Sequence, residues 1–193
     1  MTTSTSTKTP DSIYILRIDL AHIKPAIWRR LEVPAGISLA RLHTVIQMAF
    51  DWMDDHLHGF HIEGQNYGQP MPGPFGLEMD ELDEHKFRLS QVAGLGSRFT
   101  YTYDFGDDWT HAIKVEKIVP PKPGVRYPRC TVGKNAAPPE DCGGPWGYAG
   151  MMQTLADPAH PERGELLEWI GDDFDPAAFD IDELNAGLAV LKI

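Results

Sequence analysis

A chain of 193 residues with 17 Lys and Arg against 28 Asp and Glu carries a formal charge of −11, so it is long enough for one hydrophobic core and repels a polyanion overall. Its 42% hydrophobic content is that of a folded globular protein, and no apolar run reaches the roughly 20 residues that a membrane-spanning helix needs. Two cysteines, Cys130 and Cys142, and a polar Thr/Ser-rich start point to a cytoplasmic protein with reduced thiols, with residues 1–11 expected as a disordered tail.

Residues 12–193 read as one domain. Ile13, Ile15, Leu16, Ile18 and Leu20 make a first strand over 12–20. After a turn at Lys24-Pro25 a second strand runs from Ile27 to Val33, with Ile27, Leu31 and Val33 on one face. Pro34-Ala35-Gly36 ends it, and Ser38 is the N-cap of a helix whose Leu39, Leu42, Val45, Ile46, Ala49 and Phe50 recur at helical spacing. A third strand is expected over 57–63, then a surface excursion over 64–84 that is rich in Gly and Pro before it turns acidic. Phe99–Phe105 and Trp109–Val119 form the clearest hairpin, joined at Gly106-Asp107-Asp108. Seven prolines over 120–145 argue against regular structure there, and helices are expected over 146–156, 161–171 and 181–191, the last capped by Asp180 with Glu183. The fold class is α+β: a single domain with a β-β-α-β opening in β-grasp-like order, a central antiparallel sheet and C-terminal helices.

The chemistry concentrates in two stretches, 103–111 (YDFGDDWTH) and 138–144 (PPEDCGG). Strand alternation sends Phe99, Tyr101, Tyr103 and Phe105 to one face, Asp104 to the other, and Trp109 and His111 together with apolar neighbours. In one reading His111 is a core histidine, and Asp104 and Asp107 brace a tight turn with Gly106 at positive φ. In the other the turn bulges and Asp107, Asp108 and His111 converge, a set suited to a divalent metal or an acid/base pair. His56 and His58, after Asp54 and Asp55, form a His-x-His that would project two imidazoles on one face. Cys130 and Cys142 lack the second Cys pair of a four-thiolate zinc site, which leaves a mixed site with distant histidines, or packing. In the packing reading Glu140 and Asp141 cap the helix of Trp146 and Gly143-Gly144 permit close approach. Acids beside Cys142 oppose a nucleophilic thiolate. The aspartates at 172, 173, 175, 180 and 182 lack the order of a calcium loop and read as helix-start caps. No phosphate loop, dinucleotide fingerprint, Gly-x-Ser-x-Gly or His-Glu-x-x-His is present.

Leu42-His43, Trp52, 56–60 (HLHGF), 103–111, 127–130 (YPRC), 138–144 and Trp169 occur in an order that resembles the Ri-plasmid open-reading-frame-three-like family, whose members are also labelled transposon-passenger TnpR-type proteins. The resemblance spans about residues 12–190 and implies an α+β domain, carried on plasmids, mobile elements and chromosomes, with no established biochemical activity. Its motifs map onto Asp104, Gly106, Asp107, Trp109, His111, Glu140, Asp141, Cys142, Gly143 and Gly144. No serine-recombinase nucleophile context or basic DNA-binding tail accompanies the resolvase-like label.

The leading expectation is a ligand- or protein-binding adaptor domain, with a cleft formed by Asp104, Asp107, Trp109, His111, Glu140, Asp141 and Cys142 and no nucleic acid or membrane as main partner. The alternative is a metal-dependent hydrolase or nuclease-like enzyme using Asp104, Asp107, His111, Glu140, Asp141 and one of His56 or His58, and the candidate ligands of a zinc or manganese ion are His56, His58, Asp107, His111, Cys130 and Cys142. A third, a DNA-binding accessory factor, requires Arg17, Lys24, Arg29, Arg30 and Arg41 to form one basic patch.

Overall fold

Alternating β-branched and aliphatic residues make β1 (Ile13–Leu20) and β2 (Trp28–Pro34), which pair antiparallel and bury Leu16, Ile18, Leu31 and Val33 on one face. The computed structural model describes residues 12–69 and 81–191; the expected tail at 1–11 lies outside them. Ser38 caps α1 (Leu39–Ala49), its side chain accepting from the Arg41 amide, and the Leu39, Leu42, Val45 and Ile46 stripe packs into the core. β3 (His58–Ile62) and β4 (Gln65–Gly68) form a hairpin, and β5 (Glu81–Asp83) runs parallel to β4. Part of the expected surface excursion is therefore strand, and 70–80 lies outside the described residues. A 3-10 turn at Glu84–Lys86 and the short α2 (Leu89–Val92) lead to the hairpin of β6 (Arg98–Tyr103) and β7 (Trp109–Val119).

Despite its prolines, the 120–145 stretch contains β8 (Arg129–Lys134), which pairs with β2. Regular structure fits because the only proline near this strand, Pro128, precedes it. Three helices close the chain: α3 (Gly144–Ala156), α4 (Arg163–Ile170) and α5 (Ile181–Val190), the last capped by Asp180, which accepts from the amides of Asp182 and Glu183. The result is a single α+β domain whose eight-stranded sheet has the order β5-β4-β3-β6-β7-β1-β2-β8. The β-β-α-β opening is present, with β6 and β7 inserted between β1 and β3. The sheet is mixed, because the β4–β5 pair is parallel and the other pairs are antiparallel. The side of the sheet that meets α1 is apolar, and the other carries partly exposed polar residues such as Arg17, Asp19, Thr100 and Lys114.

Two devices hold the C-terminal half to the sheet. Arg29, 2% exposed, donates Nε–H to the Ala49 carbonyl at the end of α1 and Nη1–H to the carbonyls of Trp28 and Lys134. Its guanidinium lies 3.9 Å from the Phe179 ring centre, and burial pulls its pKa down to about 10, so it stays charged at neutral pH. On the outer edge of β8, Asn185 of α5 accepts from the Cys130 amide at 2.7 Å and donates to the Cys130 carbonyl at 2.9 Å. Replacing Arg29 by Lys keeps the charge but cannot supply three donors in a planar fork. Arg29→Lys is expected to lower the unfolding free energy by about 2 kcal/mol, read from urea denaturation; a change within a few tenths would refute this role.

Candidate functional site

The tip of the β6–β7 hairpin and the 138–144 loop do meet, at the end of the sheet where α1 runs into residues 50–57. β6 ends at Tyr103 and β7 begins at Trp109, its partner across the turn. The left-handed residues of the tip are Asp104 (φ 54°) and Asp108 (φ 54°), not the expected Gly106. Aspartate tolerates that conformation because its short carboxylate bonds nearby backbone, and Asp104 Oδ1 accepts from the Gly106 amide at 2.9 Å. Phe105 accordingly leaves the strand and is half exposed, instead of sharing the face of Tyr101 and Tyr103.

Glu140 joins three segments: one carboxylate oxygen accepts from the Tyr103 hydroxyl and the other from the Met53 amide at 2.9 Å. Burial, followed by the bond to Glu140, pushes the Tyr103 phenol up. Trp52 Nε1–H donates to the Pro138 carbonyl at 2.9 Å, and its ring stacks on Tyr103. Asp107 Oδ2 accepts from the Gly143 amide at 3.1 Å. Glu140 and Asp141 therefore do not cap α3; its N-cap is Gly143 (φ 86°), with Asp107 supplying the carboxylate from the hairpin. The close approach expected at the glycine pair is present, since a Cβ on Gly144 would lie 2.2 Å from the Asp107 carbonyl oxygen.

The convergence of Asp107, Asp108 and His111 does not occur. His111 is fully buried among Phe50, Trp52 and Tyr101, donates Nδ1–H to the Trp109 carbonyl at 2.9 Å, and is pushed down to about 3 by burial. Trp109 is buried beside it. Cys142 is pushed up to about 12 by burial and then by Asp107, which removes it as a nucleophile at neutral pH. Cys130 is a buried free thiol on β8, and neither cysteine belongs to a metal-capable group among the described residues.

His56 and His58 do not share a site, because β3 begins only at His58 and His56 lies in the preceding loop. They enter two different groups of three, each with its ligand atoms within 4.8 Å of one another and able to hold a metal ion: His56, Asp104 and Asp141, and His43, Asp54 and His58. In the first, His56 Nε2 is 3.1 Å from Asp141 Oδ1 and Nδ1 is 3.7 Å from Asp104 Oδ2. In the second, the His43 and His58 rings stack at 3.5 Å and 5°, so their in-plane lone pairs lie in separate, nearly parallel planes and do not aim at one point. His43 is also fully engaged. Its Nδ1 accepts from the Tyr101 hydroxyl and its Nε2–H donates to Asp54, both at 2.7 Å. Gln47 closes the ring, giving Nε2–H to Tyr101 and taking the Asp54 amide. Burial, then the neighbouring His58, holds His43 down to about 3, which favours the neutral ring. His58 in turn pairs with the buried Glu84 at 3.0 Å.

Sequence reasoning named neither this ring nor Glu84 as chemistry. The available signal was His43 and Gln47 at i and i+4 within the apolar stripe of α1, where polar side chains must find buried partners.

A family model described as plasmid pRiA4b ORF-3-like protein matches residues 12–183. The chain belongs to this family. Within the pRiA4b ORF-3-like family it is 40% identical over 180 residues to the uncharacterized protein y4hQ of Sinorhizobium fredii (strain NBRC 101917 / NGR234), covering 90% of this chain and 89% of that one. A solved structure, the protein of unknown function MM3350 from Methanosarcina mazei Go1, superposes with a TM-score of 0.83 at 41% identity, covering 91% of this chain and 98% of the other. This pRiA4b ORF-3-like chain has no helix, among the described residues, long and apolar enough to cross a membrane.

The two buried histidines contribute to the acid response. His43 and His111 sit near 3 in the fold and near 6.5 when unfolded, so the unfolded chain binds more protons in between. Their contribution is constant above about pH 6.5 and is lost as pH falls toward 3. Urea unfolding at stepped pH should show stability declining below pH 6.5 with a slope of up to about 2.7 kcal/mol per pH unit for two protons. A flat profile between pH 6.5 and 4.5 would contradict the neutral assignment.

Proposed function

We propose that the protein is a binding module and that the loop end of the sheet docks a basic segment of another protein carrying a large apolar side chain. The observation that carries this reading is the surface of that end. Met53 (79% exposed), Leu57, Phe105 and Trp146 (89% exposed) are four of the eight large hydrophobic residues exposed among the described residues. They sit on the loops at 51–57 and 104–108 and at the start of α3, which the Glu140 and Asp107 bonds lock together. The stretches 51–57, 104–108 and 138–146 hold eight Asp and Glu and no Lys or Arg. Exposed apolar side chains on loops tied together inside an acidic rim favour a partner of opposite charge with an apolar anchor. Glu140 and Asp107, two of the carboxylates that a catalytic reading would use, are engaged as acceptors, and burial pushes the Cys142 thiol up. Selection from a random peptide library should yield Lys/Arg-rich peptides centred on an aromatic or aliphatic residue. Their affinity should fall at least about tenfold, or 1.4 kcal/mol, in the Met53→Ser, Trp146→Ala double variant at unchanged Tm. Equal binding by wild type and variant would sink the reading.

A second reading rests on His56, Asp104 and Asp141, one imidazole and two carboxylates that suit zinc or manganese. If this group is a metal site, titration should saturate near one ion per chain and be abolished in His56→Ala and Asp141→Asn while His61→Ala binds as wild type. A wild-type chain that never saturates refutes it.

A further inference from the structure

The open face of the sheet carries a feature independent of the loop end. Arg98 of β6 is the direct cross-strand partner of Lys114 of β7, Lys114 is the partner of Arg17 of β1, and Arg17 is the partner of Arg30 of β2. These strands are consecutive neighbours, so four cations stand in one row across the sheet, spanning about 14 Å at the usual inter-strand spacing of ~4.8 Å. Like charges directly opposite each other destabilise a sheet, and a protein of charge −11 has few cations to concentrate. Two of the four are compensated: Arg17 by Asp19, and Arg30 by Glu116 at 2.7 Å. Arg98 and Lys114 form no ion pair among the described residues. These two, with Arg17, line a groove of about 490 Å³ on this face, with Thr100 and His61 as further hydrogen-bonding groups and Asp19 and Glu63 also lining it. That volume falls in the range of small-ligand sites.

We propose that this groove binds a small ligand bearing two or more phosphate groups, held by Arg98, Lys114 and Arg17. A multiply charged anion lying along the row relieves the cross-strand repulsion; the Arg98 fork, which forms no ion pair among the described residues, matches phosphate oxygens bidentately, and Arg17, tied to Asp19, adds charge. A small phosphorylated ligand fits better than a nucleic acid, because the surrounding protein is acidic and the basic patch that a DNA-binding role requires is not formed. Arg29 is buried on the opposite face, and Arg41 lies on α1.

The test uses the full chain and inorganic tripolyphosphate in metal-free, low-salt buffer, followed by calorimetry. Saturable binding is expected, weakened at least tenfold in the Arg98→Gln, Lys114→Gln double variant and unchanged in Arg41→Gln. The double variant should unfold no earlier than wild type, since it removes repulsion and no ion pair, and tripolyphosphate should raise the Tm of wild type only. Absence of saturation at millimolar tripolyphosphate, or equal weakening by Arg41→Gln, overturns the proposal. A single-stranded oligonucleotide that binds more tightly than tripolyphosphate and is lost in the same double variant would reassign the row to nucleic acid.

Discussion

A guanidinium sealed inside a protein must satisfy its donors locally, and Arg29 does so by collecting carbonyls from α1, β2 and β8. That requirement fixes where the helix ends relative to the sheet. The end of α1 delivers Phe50 and Trp52 into the core beside His111 and Tyr103, and everything at the loop end is built on those rings. The positive charge also sits at a helix C-terminus, where the backbone dipole favours it. Gly133 belongs to the same arrangement: a Cβ there would lie 2.5 Å from Phe179 and 2.9 Å from the Arg29 stem.

At the loop end, acidity and architecture are the same thing. Asp104, Asp107 and Glu140, which look reactive in the sequence, are committed to amides or a hydroxyl, so the three loops are tied into one rim without regular hydrogen-bonded structure. Tying the loops together matters for a docking role, because a backbone already held in place loses little freedom on binding. His56 stands between the Asp104 and Asp141 carboxylates, with one ring nitrogen toward each.

Much of the fold was legible because periodicity reports burial. The β1–β2 pair, the Ser38-capped helix, the β6–β7 hairpin and the Asp180-capped α5 all follow from local pattern and capping chemistry. β8 was hidden because its strand identity comes from pairing with β2 and not from its own proline-flanked composition. Counting residue types could not separate His56 from His58, since their divergence depends on where a strand begins, a boundary set by tertiary pairing to Tyr103. The proximity of the 103–111 and 138–144 motifs was legible as density of unusual residues. Their division of labour was not, because hydrogen-bond partners lie 36 or 37 residues away in sequence.

Asn185 has a consequence of another kind. Its side-chain amide meets both the N–H and the C=O of Cys130, presenting to the outer edge of β8 the same donor and acceptor that a ninth strand would offer. An open edge invites a second chain to add itself, which is how sheets aggregate and swap. Here one asparagine on a covering helix impersonates a further strand, so sheet growth is blocked on this side.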